Sequence, residues 1–136
     1  MSLFKIFSIA GTGMAAQSQR LNTVASNIAN ADSAAGPDGK VYSARHVVFQ
    51  SVPLDHGNTT AQGVRVASIV ENGAPPRRLH DPKHPLADKD GFVTLANVSV
   101  VEEMVNMIAA SRAYQNNVEV MNTAKNMLAK TLTLGS

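Results

Sequence analysis

The sequence predicts an α+β fold: long N- and C-terminal helices form a coiled-coil-like pair, and a small β-rich module lies between them in the chain. Apolar residues recur at seven-residue intervals near both ends. Between those ends, short β-branched segments alternate with Gly- and Pro-containing turns. We expect an N-terminal helical segment over 1–34, a loop and β-rich module over 35–96, and a C-terminal helical segment over 97–136.

The first helix is predicted over about residues 3–31, where apolar side chains form two rows with seven-residue spacing. The rows are Phe7, Met14, Leu21 and Ile28, and then Ala10, Gln17, Val24 and Ala31. Two such rows are typical of a coiled-coil seam. Arg20 is the only charge between Lys5 and Asp32, and the outward positions are mostly small and uncharged. This face fits either close contact with other protein or a weakly stable surface helix.

The central module is predicted from turn residues and β-branched runs. A GPDG turn at 36–39 lies in the loop over 32–40, and 55–63 forms a second polar loop. Strands are expected over 47–52, 64–70 and 92–95. Pro82 and Pro85 favour turns or extended backbone over 79–91.

The second long helix is predicted over about residues 99–132. Ser99 followed by Glu102 is a capping-box pattern, and Gly135 stands where a C-terminal cap is expected. Two apolar rows are predicted here as well. They are Val100, Met107, Tyr114, Met121 and Leu128, and then Met104, Ser111, Val118, Lys125 and Leu132.

The two predicted seams lie at opposite ends of the chain. They are buried only if the ends come together or if neighbouring subunits cover them, because a long helix without a partner is marginal in water. Head-to-tail association with a rotation that does not close produces a helical filament. The sequence therefore favours a subunit of an assembly.

Composition excludes several other classes of function. The chain has no Cys, which excludes disulfides and thiolate chemistry, and its net charge of +2 comes without a basic helix typical of nucleic-acid binding. The opening residues resemble a secretory signal only loosely, since Gly11 and Gly13 interrupt the apolar run. We interpret that segment as part of the mature protein.

Candidate chemical sites are weak. His80, Asp81, His84, Asp88 and Asp90 are possible metal ligands, but Pro82 and Pro85 preclude the helix that would align the two His side chains. Ser43, His46 and Asp55 lack the nucleophile turn of a hydrolase.

A cluster of basic residues comprises Arg77, Arg78, His80 and Lys83. It is expected in a solvated loop or against acids of a neighbouring subunit. Met104, Met107, Met121 and Met127 fit adaptable packing better than a cofactor site. We expect no enzymatic activity, no metal and no cofactor.

Two terminal segments resemble a known family. Residues 25–30 (ASNIAN), 101–108 (VEEMVNMI) and 111–118 (SRAYQNNV) are similar to the N- and C-terminal signatures of flagellar axial proteins, which build the rod, hook and hook–filament junction. The GPDG loop, residues 81–88 (DPKHPLAD) and 130–135 (KTLTLG) resemble the proximal-rod members of that family.

The resemblance implies a structural subunit of the proximal rod in the flagellar basal body. Members of that family leave the cell through the flagellar type III apparatus without a cleaved signal peptide and assemble in the periplasm. The implied partners are other copies of the same chain, other proximal and distal rod proteins and the adaptor at the membrane ring, with no nucleic acid or small-molecule substrate. Two alternative classes remain open: a helical export adaptor, which would carry more surface charge, and a small metal-dependent enzyme, which would need a pocket.

Assembly contacts are expected on the two terminal helices. Asn27 and Asn30 are expected to hydrogen-bond between helices, as buried polar residues that specify register do. The predicted interface residues of the first helix are Met14, Leu21, Val24, Asn27, Ile28 and Asn30. Those of the second helix are Met104, Met107, Ile108, Tyr114, Val118, Met121 and Leu128.

Overall fold

A computed structural model describes residues 3–54 and 61–135 and confirms the α+β class. Two long helices come from the ends of the chain, and two small antiparallel sheets come from its centre. The elements are α1 (Leu3–Ala29), β1 (Arg45–Pro53), β2 (Gln62–Glu71), β3 (Arg77–His80), β4 (Phe92–Leu95) and α2 (Val100–Leu134). Residues 55–60, including Asp55 and most of the predicted second loop, lie outside the described residues.

Helix α1 ends slightly earlier than the apolar pattern predicts. The Asn30 side chain donates to the Ser26 carbonyl at 2.8 Å, and the Ala31 N–H bonds to Ile28 rather than continuing the α-helical ladder. The bond from the Ala31 N–H spans three residues and satisfies a carbonyl at the helix end. Ala31 then leaves the helix and is buried in a small core with Ala44, Ala96 and Val98.

Strands β1 and β2 form an antiparallel hairpin that packs against α1. Both strands extend beyond the predicted bounds because backbone pairing continues from Arg45–Glu71 to Pro53–Gln62, with an irregularity between Val48 and Phe49. A two-stranded hairpin alone is marginally stable in water, so its contact with α1 contributes to its stability.

Thr12 connects this hairpin to α1. Its hydroxyl donates to the Ile9 carbonyl at 2.8 Å and accepts from the Val64 N–H at 3.2 Å. The neighbouring Gly63 approaches so closely that a Cβ atom there would lie 2.8 Å from Thr12 Oγ1 and 3.1 Å from Leu54 Cδ2. The start of β2 therefore requires a residue without a side chain.

We expect Gly63→Ala to lower the free energy of unfolding by about 1–3 kcal/mol, the usual cost of overpacking. Thermal unfolding followed by circular dichroism measures this effect. Gly73→Ala is the matched control, because a Cβ atom at Gly73 would meet no atom within 4 Å. Equal melting temperatures for the two variants would contradict the packing explanation.

Strands β3 and β4 form a second antiparallel pair, with Arg77 opposite Leu95 and His80 opposite Phe92. The prediction for 92–95 is confirmed, but β3 was missed because its sequence, RRLH, lacks β-branched residues. Its conformation depends on the partner strand. The Ala35 N–H also bonds to the Thr94 carbonyl at 2.8 Å, which attaches the loop after α1 to β4.

Asp88 organises the turn between these strands. Its carboxylate accepts from the backbone N–H groups of Phe92 at 2.8 Å and Asp90 at 3.0 Å, and from the Arg78 guanidinium at 2.8 Å. The bond from the Phe92 N–H, assisted by those from Asp90 and Arg78, outweighs desolvation and lowers the pKa of Asp88 below its ordinary value of 3.8. Gly91 completes the turn at a φ of +81°, which favours glycine.

Asp88→Asn is expected to reduce stability at neutral pH and to lose that effect in acid. A lowered carboxyl pKa stabilises the fold above the unfolded value of 3.8, and this contribution disappears as pH falls through the folded pKa. Melting temperatures of the unaltered protein and of Asp88→Asn, measured from neutral pH to below pH 3.8, test the prediction. Asp90→Asn is the control. A stability difference that persists unchanged in strong acid would contradict it.

Helix α2 begins at its predicted cap. The Ser99 hydroxyl accepts from the Glu102 N–H at 3.5 Å, and Gly135 ends the helix with its N–H bonded to the Thr131 carbonyl. The helix runs antiparallel to α1, because Asn27 contacts Glu103 while Gly13 lies against Asn117. Within the described residues, no helix is both long and apolar enough to cross a membrane.

Candidate assembly surface

Asn27 lies at the centre of the contacts that join α1, α2 and the hairpin, and it is fully buried. Its Nδ2 group donates to the Arg45 carbonyl at 2.8 Å and to Glu103 Oε2 at 2.9 Å. Its Oδ1 atom accepts from the Tyr42 hydroxyl at 2.8 Å and the Arg45 N–H at 2.9 Å. These four bonds use the full hydrogen-bonding capacity of an asparagine side chain.

Glu103 is a carboxylate buried in the same cluster, with 4% of its surface exposed. Besides Asn27, it accepts from Asn106 Nδ2 at 3.5 Å, and Asn106 Oδ1 in turn accepts from the Arg20 guanidinium at 3.3 Å. Buried carboxylates are stable only when hydrogen-bonded or paired. We define Asn27, Tyr42, Arg45 and Glu103 as the Asn27 cluster, which sets the register of α1 against α2.

Small side chains let the two helices approach closely. A Cβ atom at Gly13 would lie 3.0 Å from the Asn117 amide, and Ala10, Ala110 and Ala124 are each at most 3% exposed. Gln17, the polar member of the predicted seam, has its Oε1 atom buried without a hydrogen-bond partner among the residues described.

The row of α2 that faces α1 differs from the predicted one. The buried positions are Glu103, Ala110 and Ala124, one residue before the predicted Met104, Ser111 and Lys125. Met104, Lys125 and Leu132 are exposed instead. The predicted row that begins at Val100 agrees better with the observed burial. Four of its members are half-buried, namely Val100, Met107, Met121 and Leu128.

The predicted interface residues of α1 divide into two groups. Val24 and Asn27 are buried within the chain, whereas Met14, Leu21 and Ile28 are only half-buried. Asn30 differs from its expected interhelical role: its side chain bonds to the Ser26 carbonyl of its own helix and accepts from the Ser33 hydroxyl.

The predicted interface residues of α2 are more exposed to solvent than those of α1. Met107, Val118, Met121 and Leu128 are half-buried, while Met104, Ile108 and Tyr114 are 52%, 56% and 37% exposed. Whether these side chains contact other subunits stays a prediction.

Helix geometry places many of the predicted interface side chains on the side of the helix pair that is turned away from the β1–β2 hairpin. Asn106 faces a cleft of about 310 Å³ that it shares with Arg20, Val47 and Phe49, so this flank of α2 faces the β1–β2 hairpin. Met107 lies 100° further round the helix, on the flank turned away from the hairpin. By the same spacing, the flank away from the hairpin carries Met14, Leu21 and Ile28 of α1 together with Met104, Met107 and Val118 of α2. We call this set the apolar flank.

The candidate chemical groups have local structural contacts. Arg77 pairs with Asp32 at 3.2 Å and Arg78 with Asp88 at 2.8 Å, so both guanidinium groups meet acids of their own chain. His84 Nδ1 accepts from the Leu86 N–H, and the His80 ring lies edge-on to Phe92. Within residues 3–54 and 61–135, His and acidic side chains form no group of three or more suited to a metal.

Family comparisons match both ends of the chain. Residues 7–37 match the family described as flagella basal body rod protein, and residues 89–134 match the family described as flagellar basal body rod FlgEFG protein C-terminal. These segments include most of α1 and all of α2, the helices joined by the Asn27 cluster. The fold and these matches define a flagellar rod protein.

Curated relatives identify the branch of this class. Flagellar basal-body rod protein FlgC of Salmonella typhimurium is 56% identical over 135 residues, covering 99% of both chains. FlgC of Yersinia enterocolitica is 58% identical with the same coverage, and FlgC of Borreliella burgdorferi is 39% identical with 98% coverage of each chain. The chain belongs to the FlgC family of flagellar basal-body rod proteins.

Proposed function

We propose that this chain is a non-enzymatic structural subunit of the proximal rod, where it assembles helically into the periplasmic shaft that transmits torque from the flagellar motor to the hook. Membership of a family of basal-body rod proteins supports a structural role in the rod. The apolar flank is the single structural observation that carries the proposal, because it leaves apolar side chains of both terminal helices available to neighbouring subunits.

In the proposed assembly, segments 1–34 and 97–136 form the packing helices and residues 35–96 form the module outside them. The partners are other copies of this chain, the other rod proteins and the adaptor at the membrane ring. A helix–helix interface of this kind buries apolar side chains, and short uncharged side chains such as those of α1 allow close packing. Adaptable Met104 and Met107 suit a tube whose subunits meet in slightly different settings.

The proposal includes export through the flagellar type III apparatus without cleavage of a signal peptide. The opening residues support this part, since α1 begins at Leu3 and continues without interruption through Gly11 and Gly13. The N-terminal segment is thus part of the folded helix pair. Mass spectrometry of the subunit from the assembled structure tests this point directly: an intact N-terminal segment is expected, and removal of the first turns of α1 would overturn it.

Isolation of detergent-resistant hook–basal bodies tests the principal proposal. We expect the chain to co-purify with them and to resist extraction together with the other rod proteins. Recovery of the chain only as soluble cytoplasmic protein would overturn the proposal and favour an export adaptor. A monomer that carries a bound metal and is absent from basal bodies would favour the metal-dependent enzyme.

A further inference from the structure

A second apolar surface lies on the outer side of α2 and adjoins the apolar flank at Met104, which belongs to both. Val101, Met104, Val105 and Ile108 follow one another at helical spacing and are 73%, 52%, 62% and 56% exposed. We call these four residues the outer ridge. Contiguous apolar surface of this kind on a folded chain marks an interaction site.

The same chain carries an open groove between α1 and β2, with apolar side chains of β2 in its lining. Two neighbouring cavities of about 310 and 270 Å³ share Gln19 in their lining, and together they form this groove. The helix side of the groove carries short uncharged side chains, and the strand side carries apolar side chains together with Arg45 and Arg65. Its lining includes Ala15, Gln19, Asn22 and Ser26 from α1 and Val64, Val66 and Ile69 from β2.

The outer ridge cannot reach the groove of its own chain. Glu103 and Ala110 face α1, and the ridge lies on the opposite side of the same helix. The two surfaces can therefore meet only between separate molecules.

Charge complementarity indicates which molecule fills the groove. Glu102 is exposed beside the ridge, and no ion pair to it is found in residues 3–54 and 61–135. Arg65 lines the groove, and its guanidinium bonds to the neutral Gln50 Oε1 atom at 3.0 Å. An acid beside the ridge and an arginine beside the groove are thus both available for a partner of opposite charge.

We propose that the outer ridge of one copy docks into the α1–β2 groove of a second copy, with Glu102 facing Arg65 of that copy. This inference rests on the proposed structural role and names one surface through which copies meet. Because the two surfaces differ, the contact is heterologous. Repetition of such a contact with a rotation that does not close extends a helical array.

Introduced cysteines test this contact with little background, because the chain has no Cys of its own. In hook–basal bodies from cells producing Glu102→Cys/Arg65→Cys, a short bis-maleimide cross-linker is expected to yield covalent dimers and higher multimers. Each single variant and the Glu102→Cys/Lys83→Cys pair are the controls, and all three should remain monomeric. Incorporation of the double variant without cross-linking would overturn the docking proposal and leave the rod assignment intact.

Charge reversal provides an independent measurement if the cysteine variants do not assemble. Glu102→Arg and Arg65→Glu should each reduce the subunit in basal bodies by roughly tenfold, because like charges at an interface are strongly unfavourable. The double reversal should restore incorporation. Unimpaired single variants, or impaired single variants without restoration in the pair, would exclude this contact between copies. Absence of the unaltered chain from basal bodies would instead overturn the rod assignment itself.

Discussion

Replacing Asn27 with leucine is expected to lower the free energy of unfolding by about 3–5 kcal/mol, because several buried polar groups lose a partner at a cost of about 1–3 kcal/mol each. Leucine branches at Cγ as asparagine does but has no polar side-chain atoms. The buried Glu103 carboxylate would lose its shortest hydrogen bond, and the Tyr42 hydroxyl and both backbone groups of Arg45 would lose a partner as well. Chemical denaturation of the purified subunit measures the effect.

Two control variants separate the Asn27 cluster from ordinary core packing. Glu103→Gln retains an oxygen that accepts from Asn27, so its effect should be much smaller than that of Asn27→Leu. Tyr42→Phe removes a single donor to Asn27. Its loss of unfolding free energy should lie between those of the other two variants, at about 1–3 kcal/mol. If Asn27→Leu were no more destabilising than Tyr42→Phe, the cluster would not have the central role assigned to it.

Leu21→Asp and Val118→Asp are each expected to abolish incorporation into the basal body and hence motility, while the β-rich module stays folded. Both side chains are half-buried on the apolar flank, so a carboxylate there would be trapped in an apolar interface on assembly. Motility in soft agar and the amount of subunit in isolated basal bodies measure the outcome.

Asn126→Asp is the matched control for these variants, because it adds the same charge at an exposed position of α2 with almost no change in shape. It should assemble normally. Circular dichroism and limited proteolysis of the soluble variants distinguish failure to assemble from failure to fold. Normal motility of Leu21→Asp and Val118→Asp would show that the apolar flank is not an assembly surface.

These experiments probe three regions of the helix pair, of which the apolar flank and the outer ridge adjoin at Met104. The Asn27 cluster joins α1, α2 and the hairpin inside one chain, the apolar flank lies on the side away from the hairpin, and the outer ridge lies on the back of α2. A variant in the cluster should therefore change the stability of the isolated subunit. Variants on the two outer surfaces should change incorporation with little effect on that stability.

The sequence by itself determined the helices, the strands with strong β-branched character and the cap at Ser99. Each of these depends on signals within a few residues: seven-residue apolar spacing, runs such as 64–70 and a hydroxyl placed before a helix. Terminal signatures near residues 25–30 and 101–118 also indicated the family, since they stand in the helices that the family comparisons match.

Tertiary structure alone decided which side of α2 faces α1. Apolar residues occur on more than one side of this helix, so spacing selected Met104 and Lys125 where the chain buries Glu103 and Ala124. Close approach at Gly13 favours small side chains, and Asn27 supplies the bonds that make a buried glutamate acceptable. Strand β3 likewise forms only because β4 is available to pair with it. Contacts between residues distant in the chain control these features, and local sequence patterns do not encode them.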